Sequence, residues 1–170
     1  VRDLIKGDFN NFGFESKFLS NYNLFNLKSI FVIGSKLYLS NNYSKQGPGS
    51  EFSDADFNFY NNEFPNYVNQ SDYKYPNQNI SIFGETIIKL SDNLSLTPGF
   101  RLEFINTKAQ GTYERIVQDA AMNVISHDTI YENRENKRSF VLTGLGLTYN
   151  ISKDIESYAN ISQNYRSVNF

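Results

Sequence analysis

The chain contains no cysteine and no tryptophan, and only one histidine and four prolines in 170 residues. Without cysteine there is neither a disulfide scaffold nor a thiolate metal site, although the compartment stays open. No window approaches the run of about 20 apolar residues that a transmembrane helix needs. The opening VRDLIKGDF lacks the charged-then-apolar pattern of a signal peptide. Charge is nearly balanced, with a net value of −2 and a pI of about 5.4, so nothing basic suggests nucleic acid. No stretch reads as a helix.

What is abundant is aromatic. Tyr and Phe make up 16% of a chain that is 39% hydrophobic and has a mean hydropathy of −0.50. Many rings, a polar average and alternating strands suit a barrel with lipid outside and a polar interior. A soluble β-sandwich suits the same averages.

Alternation is clearest in Asn79–Thr107. Ile80, Ile82, Thr86, Ile88 and Leu90 share one strand face, opposite Asn79, Ser81, Glu85 and Lys89. After the turn Ser91-Asp92-Asn93, Leu94, Leu96, Pro98, Phe100, Leu102 and Phe104 share a face opposite Ser95, Thr97, Gly99, Arg101 and Glu103. The short polar turn makes these runs an antiparallel hairpin. Earlier, Phe12, Phe14 and Phe18 alternate with Glu15 and Lys17. After a turn around Asn21–Asn26, a second strand spans Ser29–Ser40, with Phe31, Ile33, Leu37 and Leu39 opposite Gly34, Lys36 and Tyr38. Val141, Thr143, Leu145, Leu147, Tyr149 and Ile151 mark a later strand. The turn Ser152-Lys153-Asp154 repeats the Ser91 chemistry. Ile155–Phe170 is then a last strand, with Ile155, Ala159 and Ile161 opposite Glu156, Tyr158, Asn160, Ser162 and Arg166. Asn41–Pro76 and Lys108–Lys137, rich in Asn, Tyr and charge, read as long loops, although the apolar patches Ile116-Val117 and Val124-Ile125 could let the strands extend into the second.

About six strands joined by alternating short turns and long loops is the asymmetry of an outer-membrane barrel. Single-chain barrels start at about 8 strands, and an open edge invites aggregation. The expectation is therefore an all-β, antiparallel up-and-down transmembrane barrel segment, residues 1–170 forming part of a larger barrel domain.

Particular residues carry a resemblance. Phe83-Gly84-Glu85 before a turn, then Leu96-Thr97-Pro98-Gly99-Phe100-Arg101-Leu102-Glu103, resembles the mid-barrel segment of TonB-dependent outer-membrane receptors. Gly144-x-Gly146-x-x-Tyr149 and Tyr158-Ala159-Asn160-x-Ser162, ending in Tyr165-Arg166, is similar to the following hairpin of that family. Within it the chain most resembles the ferric-citrate receptor group. The resemblance implies a barrel of about 22 strands with a plugged lumen. It also implies a bacterial outer-membrane location, lipid around the wall, and uptake of a ferric citrate-like or siderophore chelate driven through the TonB complex. The plug domain, the TonB box and the remaining strands are not in this sequence. The iron chelate would be the transported ligand, with no cofactor and no catalytic residue.

Candidate site residues follow. Glu85, Lys89, Arg101 and Glu103 on the polar face suggest an ion-pair network lining the wall, because opposite charges face each other across paired strands. Lys36, Arg101 and Arg138 are the cationic candidates for an anionic ligand. Tyr60, Tyr67 and Tyr73 are the aromatic candidates for gripping it. His127, alone among polar residues, reads as solvated rather than metal-ligating. The different-class alternatives are a soluble carbohydrate-binding or adhesin-like module and, more remotely, a surface enzyme using Glu85 and Glu103.

Overall fold

A computed structural model describes residues 1–24, 26–54 and 56–165. Phe25 of the expected first turn and Arg166 of the expected last strand lie outside them. The described residues contain no helix. They form six strands, β1 (Asp3–Leu24), β2 (Leu27–Pro48), β3 (Ser71–Lys89), β4 (Leu94–Gln118), β5 (Val124–Asn150) and β6 (Glu156–Ser162). These make one antiparallel sheet in simple sequence order. The β5–β6 register pairs Leu145 with Ile161 and Leu147 with Ala159 on the apolar face. Gly146–Asn160 and Thr148–Tyr158 alternate with them on the polar face.

The two similar turns are built alike, as their sequences suggested. Leu90 and Ser91 donate their amides to the Leu94 carbonyl at 2.8 and 3.2 Å. Ile151 and Ser152 donate theirs to the Ile155 carbonyl at 2.9 and 3.2 Å. In each the serine hydroxyl accepts an amide from inside the turn, that of Leu94 at 3.1 Å and that of Asp154 at 3.3 Å.

The expected long loops are much shorter than the sequence suggested. Lys108–Lys137 is not a loop but the paired arms of β4 and β5, closed by a turn at 119–123. There the Asp119 carboxylate accepts the amides of Ala121 and Asn123 at 2.9 and 2.8 Å. Asn41–Pro76 shrinks to the connection 49–70, leaving Tyr73 and Tyr75 in β3. The physical reason is that a strand flanked by water on both faces has no need to alternate. Its hydropathy pattern vanishes while its backbone pairing persists. β4 and β5 run for 25 and 27 residues, well beyond the about 9–11 that span a bilayer.

The chain divides into two compact units. In the one built from Gly13–Tyr38, Gln78–Asn106 and 137–165, the solvent pattern is inverted. Leu145 and Phe100 are each 43% exposed, and Ile33, Ile80, Ile82, Phe104, Val141 and Leu147 are exposed too. Ser29, Ser81 and Glu103, together with Gly84, are the buried residues among those described here. Each large apolar side chain left in water forgoes about 1.5–3 kcal/mol. Several together equal the entire net stability of a domain, about 5–15 kcal/mol. The described residues supply no second sheet to cover this face, so the sandwich alternative finds no layer. Polar groups on the apolar face are matched internally. The Tyr22 hydroxyl lies 2.7 Å from Thr86 Oγ1, which donates to the Ile30 carbonyl at 3.0 Å.

The other unit comprises Val1–Phe12, Leu39–Asn77 and Thr107–Asn136. The described residues of its connection 49–70 are tied by hydrogen bonds. Gln70 accepts from Asn61 at 2.7 Å and donates to the carbonyls of Tyr67 and Pro65 at 2.9 and 3.1 Å. The Arg2 guanidinium donates to Ser50 Oγ at 3.1 Å and to the Ser53 carbonyl at 3.0 Å, pinning the first part of the connection.

Candidate functional site

Strand alternation sends one set of side chains in the first unit to a common polar face. A cleft of about 540 Å³ opens there, lined among others by Glu15, Lys17, Lys36, Phe83, Glu85 and Arg101. Lys17 Nζ lies 2.6 Å from Glu15 Oε1, two residues away on the same face of β1. Arg101 Nε rests against Glu103 Oε1 in the same way on β4, and its Nη2 donates to Ser81 Oγ on β3 at 3.4 Å. Glu103 is 6% exposed, and its Oε2 has no hydrogen-bond partner among the described residues. A buried carboxylate oxygen left in that state is costly and calls for a donor.

The candidate charges therefore divide. Arg101 and Glu103 are brought together. Lys36 and Glu85 line the cleft, and no opposite charge lies within ion-pair distance of either among the described residues. Lys89 is likewise without an ion-pair partner there; its amide donates to Ser29 Oγ at 3.4 Å. Arg138 does not line this cleft. It borders a smaller one of about 320 Å³ with Asn106 and Lys137, and its Nη1 donates to the Tyr165 hydroxyl at 2.6 Å. Glu103 is absent from the cleft that Glu85 lines, so these two carboxylates do not face each other across it.

Sequence reasoning places Phe83 only within the family resemblance and gives it no position on the polar face. It occupies a polar-face position, between Ser81 and Glu85, and stands in the cleft with Lys17 Nζ 5.9 Å from its ring centroid. Gly34 on β2 makes room for it. A Cβ there would fall 2.5 Å from Phe83 Cζ and 2.7 Å from the Ser16 carbonyl oxygen. The signal was available, because a phenylalanine that breaks the alternation of a clear strand has to be accommodated on the wrong face.

In the second unit the three candidate tyrosines all have neighbours of their own. Tyr73 donates to Glu132 Oε2 at 2.8 Å and stacks on Tyr75, with centroids 5.7 Å apart. Burial, reinforced by that carboxylate, pushes the Tyr73 phenol up to about 12. Tyr60 donates to Asp56 Oδ2 at 2.5 Å, which raises the phenol and lowers the acid. Tyr67 lies in the connection 49–70, its amide bonded to the Phe64 carbonyl at 3.1 Å, and burial raises its phenol. His127 is not simply solvated. Its Nε2 sits 3.0 Å from Glu114 Oε2, which also accepts from Thr129. Among the described residues no group of three or more His, Cys, Asp or Glu side chains is placed to hold a metal.

Residues 2–170 match the family described as TonB dependent receptor-like, beta-barrel. The chain belongs to that family. No curated protein matches it. TonB-dependent receptors are outer-membrane transporters of bacteria whose barrels work with TonB. Membership gives the two sheet faces their names. The exposed apolar face is the one turned to lipid, and the charged face with the 540 Å³ cleft is the one turned to the lumen.

Proposed function

We propose that this chain forms part of the wall of an energy-coupled outer-membrane receptor that takes up an iron chelate, ferric citrate-like or a siderophore. The observation that carries this is the pairing state of the lumen cations. Lys17 and Arg101 already have carboxylates beside them, whereas Lys36 faces the same cleft with none in ion-pair reach. A cation with no ion-pair partner adds to the positive field that draws an anionic ligand to this face. Arg101, held by Glu103 and Ser81, presents a fixed second cation to the same space. The unpartnered Oε2 of Glu103 fits a docking point for a donor from a plug domain carried elsewhere in the full receptor. Coupling to the TonB complex would run through that N-terminal part. Tyr60, Tyr67, Tyr73 and Arg138 are proposed as accessory ligand contacts.

The test uses the full-length receptor in cells whose growth depends on it. Lys36→Ala is expected to lower uptake of radiolabelled ferric citrate by several-fold at sub-saturating concentration, while Lys36→Arg retains most of it. Unchanged uptake in Lys36→Ala at normal receptor abundance would remove Lys36 and the anionic-chelate reading with it.

A further inference from the structure

The lipid-turned face of β2–β4 carries a groove. Phe31 and Ile33 of β2, Gly84 and Thr86 of β3, and Pro98 and Phe100 of β4 line an open channel of about 360 Å³. All six occupy apolar-face positions of their strands. Gly84 creates the depression. A Cβ there would fall 2.9 Å from Phe100 Cε1, so the ring lies down across bare backbone instead of standing off the sheet. Thr86 contributes the hydroxyl on this wall, and that hydroxyl is already engaged by Tyr22 and by the Ile30 carbonyl. The other polar side chain of the lining is Glu85, which belongs to the opposite, charged face of β3, so a polar ligand would find little to bond on this face.

Water is also a poor occupant. At about 30 Å³ each, roughly a dozen waters would fill the channel, and each needs two to four polar partners, far more than the engaged Thr86 hydroxyl and the Glu85 carboxylate supply. Hydrocarbon has no such requirement. The groove is continuous with the exposed apolar face on which Ile82 and Phe104 also stand, so the material reaching it is the material that covers the whole face. We infer that this groove seats one acyl chain of a bilayer lipid as a fixed neighbour, in contrast to the fluid lipid over the flatter wall around Leu145 and Leu147. The inference rests on the outer-membrane receptor reading.

The experiment reconstitutes the full-length receptor in vesicles containing a phospholipid with a photoreactive diazirine on its acyl chain. Labelled peptides are mapped after illumination. Adducts should concentrate on the peptides bearing Phe31–Ile33 and Pro98–Phe100, several-fold above those on Leu145–Leu147. Gly84→Leu and Ile33→Phe, which fill the groove from different strands, should each bring the excess down to that background. Even labelling across the face, unchanged in either variant that folds, would overturn the groove. Flotation of the receptor with the vesicles reads insertion separately. A receptor that fails to float sinks the membrane reading itself, whereas one that floats and labels evenly sinks only the groove.

Discussion

Gly34→Ala tests how tightly the lumen face is built around Phe83. A methyl group added at Gly34 would meet Phe83 Cζ at 2.5 Å and the Ser16 carbonyl oxygen at 2.7 Å. The ring can swing away, but the carbonyl belongs to the neighbouring strand and can move only with it. Overpacking of this kind costs about 1–3 kcal/mol. Against it stands the loss of unfolded-chain freedom on replacing glycine, which favours the variant by about 0.4–1 kcal/mol. The net expectation is a loss of about 1–2 kcal/mol. Gly13→Ala is the matched control, since its new methyl would find nothing nearer than Tyr38 Cδ2 at 3.9 Å. That variant should be neutral or slightly stabilised. Combining Gly34→Ala with Phe83→Ala removes the ring clash but not the backbone one, so rescue should be partial. The assay is urea unfolding of the full receptor from lipid vesicles, followed by the gel shift between folded and unfolded barrel. With a slope of about 1–3 kcal/mol per molar urea, the midpoint should fall by roughly 0.3–2 M. Gly34→Ala and Gly13→Ala with equal midpoints would refute the close approach of Phe83 to β2.

Further expectations concern the second unit. The raised Tyr73 phenol, at about 12 against an ordinary value of 10.0, has a definite sign. Between those values the unfolded chain releases a proton that the folded chain keeps, so stability should fall as pH rises through that window. Tyr73→Phe should remove this step, which ultraviolet titration of tyrosinate would follow; a Tyr73 that ionises near 10 contradicts the placement. Asp119→Ala should make the 119–123 turn more open to proteinase K than Asp119→Asn, because the amide oxygen can still accept the Ala121 and Asn123 N–H groups; equal cleavage of the two would argue against the turn as described. Arg2→Ala should speed hydrogen exchange in residues 50–54 alone, since Ser50 and Ser53 would lose their shared donor; unchanged exchange there would contradict the clasp.

Legibility in the sequence followed the solvent. Where one strand face meets lipid and the other a polar lumen, the code is period two, and β3, β4 and the second half of β5 could be read directly from Ile80–Leu90, Leu94–Phe104 and Val141–Ile151. The turns at Ser91 and Ser152 were equally legible, because a serine at that position has a specific bond to make. Where both faces meet water, the period is gone, and Lys108–Lys137 reads as a loop although all of it but 119–123 lies in β4 and β5. The site was half legible. Lys36, Glu85 and Arg101 fall on the cleft face by parity alone. Parity could not tell that Glu103 is buried against Arg101 while Lys36 has no carboxylate in reach, because that depends on cross-strand stagger and rotamer. Phe83 was hidden by the assumption that a polar face contains polar residues. The surroundings of the candidate tyrosines Tyr60 and Tyr67 depended on connection 49–70, whose hydrogen bonds through Gln70 join residues with no regular spacing.

The central claim is that the apolar face of these strands contacts hydrocarbon and the charged face contacts water. Since this chain has no cysteine, single cysteines can be placed along β5 at 141–149 of the full receptor and spin-labelled in membranes. Collision with oxygen, which concentrates in lipid, and with a water-soluble nickel complex should alternate with a period of two. Oxygen should dominate at 141, 143, 145, 147 and 149, and nickel at 142, 144, 146 and 148. A flat profile, or nickel access at Leu145 and Leu147, would contradict the account.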